Sequence, residues 1–551
     1  MTHEPITDDM PESPKTTSWI TERFVRRRRS VLPARETMTE NRDSPVSTGV
    51  KSGKKLAILL MMGAVLGKGL GFVREIMMAH LFGASIVADG FRAATTGTLL
   101  PLALFQNESV PAILIPTHKG WQETGDAPRR FAALAVALTL ISALIAVMVV
   151  VFGATWVRAL VGGFSPDAQV MTLDLMRVMA LGMPASVMIN VLASGEIAIG
   201  KSRLATIRSS LLNTSVIIGL VFVYLTHQWM ALAWSFAIAF NTLSLWGLWT
   251  MIRDGSIDFG GLTIADVIDA AQDFWRKLIP FLFVPLADQG NLWVERVLAS
   301  RASVGSVASL DYARTITDSA VLFISQPLGL ALLSVADSED QRERIEVVIR
   351  RLLVAAIPAC AMLALFAPDL ARLVFARGAF NDTAVQMTGE TLRGISIGLW
   401  ASTIGWIVLR LLNKVGRNKM AALLLVLAYV SNLVFNFIAF HVTVLASHGT
   451  LLLGIGESVR GLVLLGGAVF CLGLIRSTII SIIYAVFPTI IILVLGMYIQ
   501  STFTGSLVRI GLSGIAFGVV IGGAMLLLFP EIFKTWLRRV RHKTITLTND
   551  R

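Results

Sequence analysis

Apolar runs of about the length needed to cross a lipid bilayer recur along this chain, from Lys55 to Phe529. A run of about twenty apolar residues suits a transmembrane helix, which satisfies its backbone hydrogen bonds internally where no water is available. Only 15% of the residues are charged, against about 25% in a soluble domain, and the mean hydropathy is +0.70. The sequence therefore predicts an all-α integral membrane protein.

We predict about fourteen membrane-spanning helices from the length and spacing of these runs. The predicted spans are residues 56–81, 88–116, 131–153, 171–194, 205–226, 229–251, 278–300, 306–334, 347–367, 385–411, 420–442, 449–475, 478–499 and 507–529. The count carries a margin of one or two, because glycine and proline interrupt several of the runs.

Lysine and arginine give the chain a net charge of +12, and they crowd the two tails and alternate loops. These residues are Arg26 to Arg29, Lys54, Lys55, Lys119, Arg129, Arg130, Lys201, Arg203, Arg276, Lys277, Arg342, Arg344, Lys414, Arg417, Lys419, Arg538, Arg539, Arg541 and Lys543. Cytoplasmic loops of membrane proteins carry such an excess. We therefore predict a multi-pass membrane protein with both termini in the cytosol. The basic residues need no nucleic-acid partner.

Both ends of the chain are predicted to be basic cytosolic tails, at 1–54 and 531–551. Residues 1–54 are polar and are predicted to be disordered. Arg26 to Arg29 would suit contact with anionic membrane lipids, although a start of translation at Met38 would remove them. Cys360 and Cys471 lie far apart in apolar runs and indicate neither a disulfide framework nor a metal site.

Two stretches of the chain match each other at one ungapped offset. The matched pairs are Arg74 and Arg296, Gly83 and Gly305, Asp89 and Asp311, Arg92 and Arg314, and Thr95 and Thr317. We call residues 74–95 the first repeat segment and residues 296–317 the second repeat segment. A charge in hydrocarbon is costly, so it usually faces a bundle interior or a wet cavity. The repeat predicts a two-lobed transporter with a cationic cavity between its lobes.

A shorter echo, between the basic turns at 200–205 and 416–421, supports a division of the chain near residue 265. Each lobe then has an even number of helices, so the two repeats keep one orientation, which is the parallel arrangement. We predict an N-lobe of helices 1 to 6 (55–252), an amphipathic cytosolic linker (253–277), a C-lobe of helices 7 to 12 (278–475) and two extra C-terminal helices (476–530).

The first predicted helix carries Lys68, Arg74 and Glu75. We interpret Arg74 as an anion-binding group in the cavity, with Glu75 tuning its charge. The alternative is that Arg74 lies near the outer end of the helix and reaches the lipid headgroups. The matching Arg296 also lies within an apolar stretch, which favours the cavity.

The seventh predicted helix carries Asp288, Glu295 and Arg296, and Arg314 lies early in the eighth. Internal salt bridges are one account of these residues, but buried ion pairs cost desolvation energy and add little net stability. We therefore predict that Arg296 and Arg314 bind substrate. Glu295 is predicted to act in gating or ion pairing.

Asp89 and Asp311 open their helices just after turns that contain glycine. A carboxylate at that position can cap free amides and complement the helix dipole. Ion pairing with Arg92 and Arg314, three residues further on, is compatible with capping. We group Asp89, Arg92 and Asp311 with the predicted gating or ion-pair residues.

Asn432 and Asn436 share one face of the eleventh predicted helix, because they are four residues apart. With Asp288 they could present oxygens to a sodium ion. Hydrogen bonding between helices by the two asparagines is the alternative. In the twelfth helix, Glu457 and Arg460 are predicted to pair with each other. No other cofactor is indicated.

Six short motifs spread along the chain form a set. They are Gly69-Leu70-Gly71-Phe72-Val73-Arg74-Glu75, Phe82-Gly83-Ala84-Ser85, Ala88-Asp89, Leu211-Leu212-Asn213, Leu310-Asp311-Tyr312-Ala313-Arg314 and Val374-Phe375-Ala376-Arg377-Gly378-Ala379-Phe380. The set resembles the MurJ (MviN) family of lipid II flippases, within the multidrug/oligosaccharidyl-lipid/polysaccharide exporter superfamily. The resemblance covers about residues 55–530 and implies a V-shaped, two-lobed bundle.

The resemblance also implies a location in the bacterial cytoplasmic (inner) membrane and a substrate class, namely saccharides linked to undecaprenyl diphosphate. The family's cavity cations match Lys68, Arg74 and Arg314, and its two extra helices border a groove for the lipid tail. One departure is the family's arginine pair of the second helix, which falls on Leu102 and Ala103. The Phe-Ala-Glu-Gly motif that follows the pair has become Phe105-Gln106-Asn107-Glu108.

No soluble-enzyme motif occurs in the chain, so we predict a transporter and not an enzyme. The predicted activity is flipping of an undecaprenyl-diphosphate-linked saccharide, lipid II or a relative, from the inner to the outer leaflet by alternating access. One alternative is an exporter of a lipid-linked oligosaccharide for exopolysaccharide or surface glycan. Another is a MATE-like drug or cation antiporter, and a third is a scaffold for cell-envelope synthesis proteins. Membrane potential, a proton or a sodium ion could reset the empty carrier.

Overall fold

The computed structural model describes residues 46–335, 341–442 and 448–530, of which 46–58, 320 and 322–344 are described without their side chains. Contacts divide the chain into two units, Met1–Gly53 and Lys54–Arg551. The described part of the first unit, residues 46–53, is helical, and all that follows concerns the second unit. The predictions for Arg26 to Arg29, for Met38 and for the tail at 531–551 lie outside the described residues.

The described residues form α-helices joined by short turns, and they contain no strand. The helices are α1 (Val46–Phe82), α2 (Ile86–Leu99), α3 (Ala103–Gln106), α4 (Ser109–Thr124), α5 (Ala127–Val151), α6 (Gly153–Val161), α7 (Pro166–Ala180), α8 (Met183–Ala198), α9 (Arg203–Thr226), α10 (Ala231–Arg253), α11 (Ile264–Leu278), α12 (Phe283–Ala302), α13 (Ser306–Val335), α14 (Gln341–Leu365), α15 (Ala367–Phe375), α16 (Asp382–Lys414), α17 (Asn418–His441), α18 (Gly449–Cys471), α19 (Ile475–Thr502) and α20 (Ser506–Leu528).

Within the described residues, ten helical stretches are long and apolar enough to cross a membrane, or eleven when the bent pair α7 and α8 counts as one span. The predicted all-α membrane architecture is confirmed. The other predicted spans fall on α1, α12 and α13. Parts of α1 and α13 are described without side chains, and α12 carries four charged residues, Asp288, Glu295, Arg296 and Arg301. The count of fourteen and the division into two lobes stay predictions.

The second predicted span, 88–116, is not one regular helix. It runs from Ile86 to Thr124 and breaks between α2 and α4, at a 3-10 turn that begins with Leu100-Pro101. Pro101 has no backbone amide to continue the helix. The Asn107 side chain then donates to the carbonyl oxygens of Ala103 and Leu104, at 3.1 and 3.0 Å, which satisfies groups that the break exposes.

The fourth predicted span is also broken. Helices α7 and α8 meet at an angle of 48°, where Leu181 and Gly182 separate them. Pro184 lies in the first turn of α8, a position that tolerates the missing amide. The sequence analysis placed one continuous span at 171–194 and missed this bend.

Two short helices were also missed. They are α6 and α15, of nine residues each, and each follows the third predicted span of its half. Both are too short to cross a membrane. Their equivalent places agree with the internal repeat.

The predicted linker contains one regular helix, α11. The Thr263 hydroxyl accepts from the Asp266 amide, and the Asp266 carboxylate accepts from the Thr263 amide, which is a capping box. Arg129 donates to the same carboxylate at 2.8 Å. These hydrogen bonds, first those from Thr263 and then that from Arg129, lower the pKa of Asp266 to about 2. The linker is thus anchored to the start of α5.

Helices α1 and α9 pack closely and run parallel. Gly63, Gly67 and Gly71 of α1 lie against Thr206, Ser209 and Asn213 of α9 in that order, and both series ascend together. Small residues at such spacing let two helix backbones approach. This contact fixes which sides of α1 and α9 face the interior.

The matched glycines of the repeat segments and of the two basic turns adopt a left-handed backbone. The φ angles are +58° at Gly83 and +89° at Gly305, and +78° at Gly200 and +81° at Gly416. Glycine is the residue that takes this conformation without a steric penalty. The repeat in the sequence thus corresponds to a repeat of turn geometry.

Candidate functional site

A cavity of about 490 Å³ lies where the two repeat segments meet. Its lining includes Lys68, Arg74, Glu75, Phe91, Arg92, Asn213, Arg296, Asp311 and Asp318. Residues predicted from both repeat segments thus share one cavity.

Arg74 lies in the cavity wall with a third of its side chain exposed. Its guanidinium donates to Glu75 Oε1 at 2.6 and 3.1 Å, and to Asn213 Oδ1 at 2.9 Å. The Asn213 amide donates in turn to the carbonyl oxygen of Gly67 at 2.9 Å. Helix α9 therefore orients Arg74 towards the cavity. Lys68 lines the same wall, and no hydrogen bond or ion pair to it occurs within the described part of the chain.

Arg92 links the two repeat segments. It donates to Glu75 Oε2 at 2.5 Å and to Asp311 Oδ2 at 3.2 Å, and its guanidinium lies 4.4 Å from the centre of the Tyr312 ring. Only 7% of its side chain is exposed. Glu75 thus serves two arginines, one facing the cavity and one buried.

Asp311 gathers two arginines from different segments. Arg296 donates to both of its oxygens at 2.9 Å, and Arg92 donates from the other side. Arg296 is also 7% exposed. This cluster therefore joins α2, α12 and α13 through buried ion pairs.

Asp89 caps a helix, but not its own. Its carboxylate accepts from the backbone amides of Gly305 at 2.6 Å and Ala308 at 2.8 Å, at the start of α13. The expected capping of α2 by Asp89 is corrected: Asp89 is the fourth residue of α2, and its carboxylate binds free amides at the start of α13 instead. Asp311 caps no helix; it binds arginines instead.

The pairs expected three residues apart, Asp89 with Arg92 and Asp311 with Arg314, are not formed. Arg92 turns to Glu75, and Arg314 turns to Glu295 at 2.5 Å and to Glu457. Glu457 also binds Arg460, as predicted. The reason is that carboxylates on neighbouring helices offer these arginines partners in the packed interior.

Asn432 binds Glu295 rather than Asp288, and Asn436 binds Asn432. Asn432 donates to Glu295 Oε1 at 2.8 Å and Asn436 donates to Asn432 at 2.7 Å, while Asn291 also reaches Glu295 at 3.0 Å. Asp288 accepts from its neighbour Gln289 instead. The predicted hydrogen bonding between helices is present. The predicted sodium site stays a prediction, and Glu295 is its nearer carboxylate.

Two buried amide oxygens of this hydrogen-bonded group lack a donor. They are Oδ1 of Asn291 and Oδ1 of Asn436. Amide and carboxylate oxygens are the ligands that hard cations take, so this donor set fits a small cation. Within the described residues, no group of three or more His, Cys, Asp and Glu side chains is arranged to hold a metal ion.

The expectation of a simply cationic cavity needs correction. Each of the four matched arginines, Arg74, Arg92, Arg296 and Arg314, has a carboxylate partner; the acids are Glu75, Asp311, Glu295 and Glu457. Arg314 does not line the cavity. A buried charge without a counter-ion is very costly, which explains why the fold supplies acids to these cations.

Sequence reasoning missed two charged residues in this region. Asp318 lines the cavity four residues after Arg314, on the same side of α13. Arg208 on α9 donates to Asn190 Oδ1 at 3.0 Å. The available signal for each was a charge within a span or beside a predicted cavity residue.

The chain is similar in sequence to one family of known proteins. A family model described as lipid II flippase MurJ matches residues 78–512. The lipid II flippase MurJ of Burkholderia cenocepacia is 26% identical over 439 residues, covering 75% of this chain and 83% of the relative. A probable lipid II flippase MurJ of Rhizobium tropici is 27% identical over 364 residues, covering 61% and 66%.

Solved structures agree on the fold. A lipid II flippase MurJ in an inward closed conformation matches with a TM-score of 0.73 at 16% identity, covering 86% of this chain and all of that one. An inward-facing MATE family multidrug transporter matches with a TM-score of 0.59 at 18% identity, covering 76% and 98%. At these identities the likeness concerns the fold alone.

Proposed function

The chain belongs to the lipid II flippase MurJ family, and from this premise we propose that it moves an undecaprenyl-diphosphate-linked saccharide, lipid II or a related precursor, across the cytoplasmic membrane. The observation that carries the proposal is the cavity at the meeting of the repeat segments, where Lys68 and Arg74 face open space. The transported lipid leaves chemically unchanged, so the protein is a transporter.

The proposed arrangement has fourteen spans. To the ten apolar stretches it adds the bent pair α7 and α8, and the charged helices α1, α12 and α13. Arg92 of α2 pairs with Glu75 of α1 and with Asp311 of α13, and Asp311 also pairs with Arg296 of α12. These charges are compensated, so they do not prevent the helices from spanning the membrane. The lobes would be residues 55–252 and 278–475, with α19 and α20 added and both termini in the cytosol.

Arg74 is the proposed first contact for the diphosphate. Hydrogen bonds between a guanidinium and phosphate oxygens are charge-assisted and can be bidentate. Arg74 is accessible, Asn213 holds it, and Lys68 lies six residues away on the same wall. Arg296 and Arg314 belong to the proposed site as well, but they are paired with Asp311 and Glu295 and would reach the substrate only after those pairs open.

Contacts that cross between the repeat segments support the proposed alternating access. Asp89 on the amides of α13, Arg92 on Asp311, and the Tyr312 hydroxyl on the carbonyl oxygen of Gly83 hold this side closed. A diphosphate on Arg74 would compete with Glu75 for its guanidinium. Because Glu75 also binds Arg92, substrate binding would shift the balance of this closed cluster. Opening of the cluster would release the lipid to the outer leaflet.

Resetting of the empty carrier is proposed to use a sodium ion or a proton at Glu295. Glu295, Asn291 and Asn436 would hold the cation through the oxygens described above. A cation at this carboxylate would compete with Arg314. Cation binding would then leave Arg314 with Glu457 as its remaining carboxylate partner.

A second substrate of the same class is a lipid-linked oligosaccharide for exopolysaccharide or another surface glycan. The observation that favours it is the break in the second span, where Leu102 and Ala103 are apolar and Gln106 binds Ser186 at 2.6 Å. That stretch offers neutral hydrogen-bonding groups and not cations.

The test is the accessibility of lipid II on the outer leaflet of cells that lack any other lipid II flippase and are depleted of this protein. We expect accessibility to collapse, wild-type protein to restore it and Arg74→Ala to fail. Arg253→Ala, which removes an exposed arginine of α10, is the matched control and should restore it. Unchanged accessibility on depletion would exclude lipid II and leave the other glycan precursors.

A further inference from the structure

We propose that Arg208 of α9 is a second binding group for the lipid-linked phosphate, at the mouth of the cavity, and that it acts together with Lys68. The inference deepens the proposed function and rests on it. The ligand chemistry is a phosphate ester on a lipid, and the proposed source is the diphosphate of the transported lipid.

The charge of Arg208 is not compensated. Its hydrogen-bond partner is the neutral amide oxygen of Asn190, and no carboxylate pairs with it within the described residues. The four matched arginines of the repeat segments, Arg74, Arg92, Arg296 and Arg314, all have carboxylate partners. Arg208 is partly buried, and none of its nitrogens is both fully buried and without a hydrogen-bond partner. A partly exposed guanidinium without a counter-ion is suited to bind an anion.

Arg208 does not reach back to the charged end of its helix. Five residues separate it from Arg203 at the start of α9, a rise of about 7.5 Å. Asn190 lies eight residues before the end of α8, about 12 Å from that end. Because α8 and α9 are joined by a short turn, the bond to Asn190 draws the guanidinium inward. A side chain that only sought the headgroups would point the other way.

Arg208 and Lys68 lie on the same side of the contact between α1 and α9. Gly67 meets Ser209 in this parallel packing. Lys68 follows Gly67, and Arg208 precedes Ser209, each about 100° around its helix. Because the helices are parallel and face each other, a step forward on α1 and a step back on α9 rotate the two side chains to the same side of the contact. Lys68 lines the cavity, so this is the cavity side.

The position of Arg208 is fixed by hydrogen bonds through the uncharged side chain of Asn190. The Asn190 amide donates to the carbonyl oxygen of Phe105 at 2.9 Å, in the break of the second span. One Asn190 oxygen then holds Arg208 without neutralising it. Arg208 and Lys68 could thus each take one phosphate of a diphosphate before Arg74, which lies further along α1, receives it.

The experiment measures the Kd of undecaprenyl diphosphate for the purified full-length protein in lipid nanodiscs, with thermal unfolding of each variant recorded alongside. Arg208→Gln keeps a hydrogen bond to Asn190 and loses the charge, and we expect the Kd to rise about tenfold, the loss of one moderate charged contact. Arg208→Lys should recover most of the affinity. Arg253→Gln, on an exposed arginine that stacks on Trp249, should leave the Kd unchanged.

Arg74→Ala separates the failure of this inference from failure of the proposed function. Weaker binding by Arg74→Ala with normal binding by Arg208→Gln would overturn the role of Arg208 alone and make it a structural bridge to Asn190. Normal binding by both variants would overturn the proposed cavity site as well. A second arm titrates phosphatidylglycerol. Loss of phosphatidylglycerol binding alone in Arg208→Gln would assign the residue to a bilayer headgroup and overturn the transported lipid as its ligand.

Discussion

The two repeat segments share residues and spacing, yet they bond differently. In the first, Asp89 leaves its own helix and caps α13, and Arg74 stays a third exposed at the cavity. In the second, Asp311 gathers Arg92 and Arg296, both 7% exposed. The first segment therefore presents a cation to the cavity, while the second supplies the acid that joins the two segments.

One feature of the two segments remains equivalent. Arg92 binds Glu75, which follows Arg74, and Arg314 binds Glu295, which precedes Arg296. The second arginine of each segment thus finds a glutamate beside the first arginine, although the two glutamates occupy different sequence positions. The duplication conserves the pairing of charges more closely than the identity of each position.

The largest expected effect comes from Asp311→Asn. Arg92 and Arg296 would both lose a buried counter-ion, which costs about 3–5 kcal/mol of unfolding free energy for a broken buried pair. Chemical unfolding of the purified protein measures the loss. The double variant Asp311→Asn with Arg296→Gln should be less destabilised than the sum of the single variants, because one of the stranded charges is removed. Equal stability of Asp311→Asn and wild type would remove the distinction between the segments.

Arg74→Ala and Arg296→Ala should separate binding from stability. Arg74→Ala should weaken undecaprenyl diphosphate binding by about tenfold or more with little change in Tm, because Glu75 keeps Arg92. Arg296→Ala should lower Tm, since Asp311 then keeps only Arg92. Binding and thermal unfolding measured on the same preparations check both expectations. The reverse pattern would exchange the roles assigned to the two segments.

A smaller effect is expected from Asp89→Ala, which removes the cap of α13 and should cost about 1–2 kcal/mol of stability. Asp89→Asn should cost less, because an asparagine oxygen can still accept from one of the two amides. Chemical unfolding of the two variants gives the comparison. A loss as large as that of Asp311→Asn would mean that the cap is as important as the arginine cluster.

The smallest effect lies in the linker, outside both segments. The pKa of Asp266 is lowered to about 2 by Thr263 and Arg129, so its contribution is complete above about pH 4 and is lost as the pH falls towards 2. At pH 7, Asp266→Asn should mimic that loss and raise hydrogen exchange in α11 about two- to fivefold, a small change typical of an exposed pair. Asp269→Asn on the same helix is the control. Equal exchange in both variants would show that Asp266 does not anchor the linker.

The sequence could predict the positions of these residues better than their partners. Gly83 and Gly305 are matched in sequence and both adopt a left-handed backbone, because local conformation depends on local residue type. The partner of Asp89 lies 216 residues away, and no local pattern indicates it. Helix interruptions are partly predictable: Pro101 indicates that the helix breaks, but it does not indicate the path of the chain after the break.

The cavity charges show a further limit. Arginines in apolar runs predicted a wet interior, and the cavity is present. Their compensation by Glu75, Glu295 and Glu457 depends on the packing of distant helices. Arg208 carried the same signal as Arg74, but without a match in the second repeat it did not stand out.

The cap of α13 by Asp89 also has a consequence for biosynthesis. A ribosome adding about 5–20 residues per second needs roughly ten to forty seconds to reach Gly305 after Asp89 has been made. During this time Arg92 can pair with Glu75, which has already been made, but Asp89 lacks the backbone amides that bind it in the folded chain. We therefore expect the early half of the chain to stay in or near the insertion machinery while Asp89 lacks these backbone partners. Its stable entry into lipid would then depend on a helix that has not yet been translated.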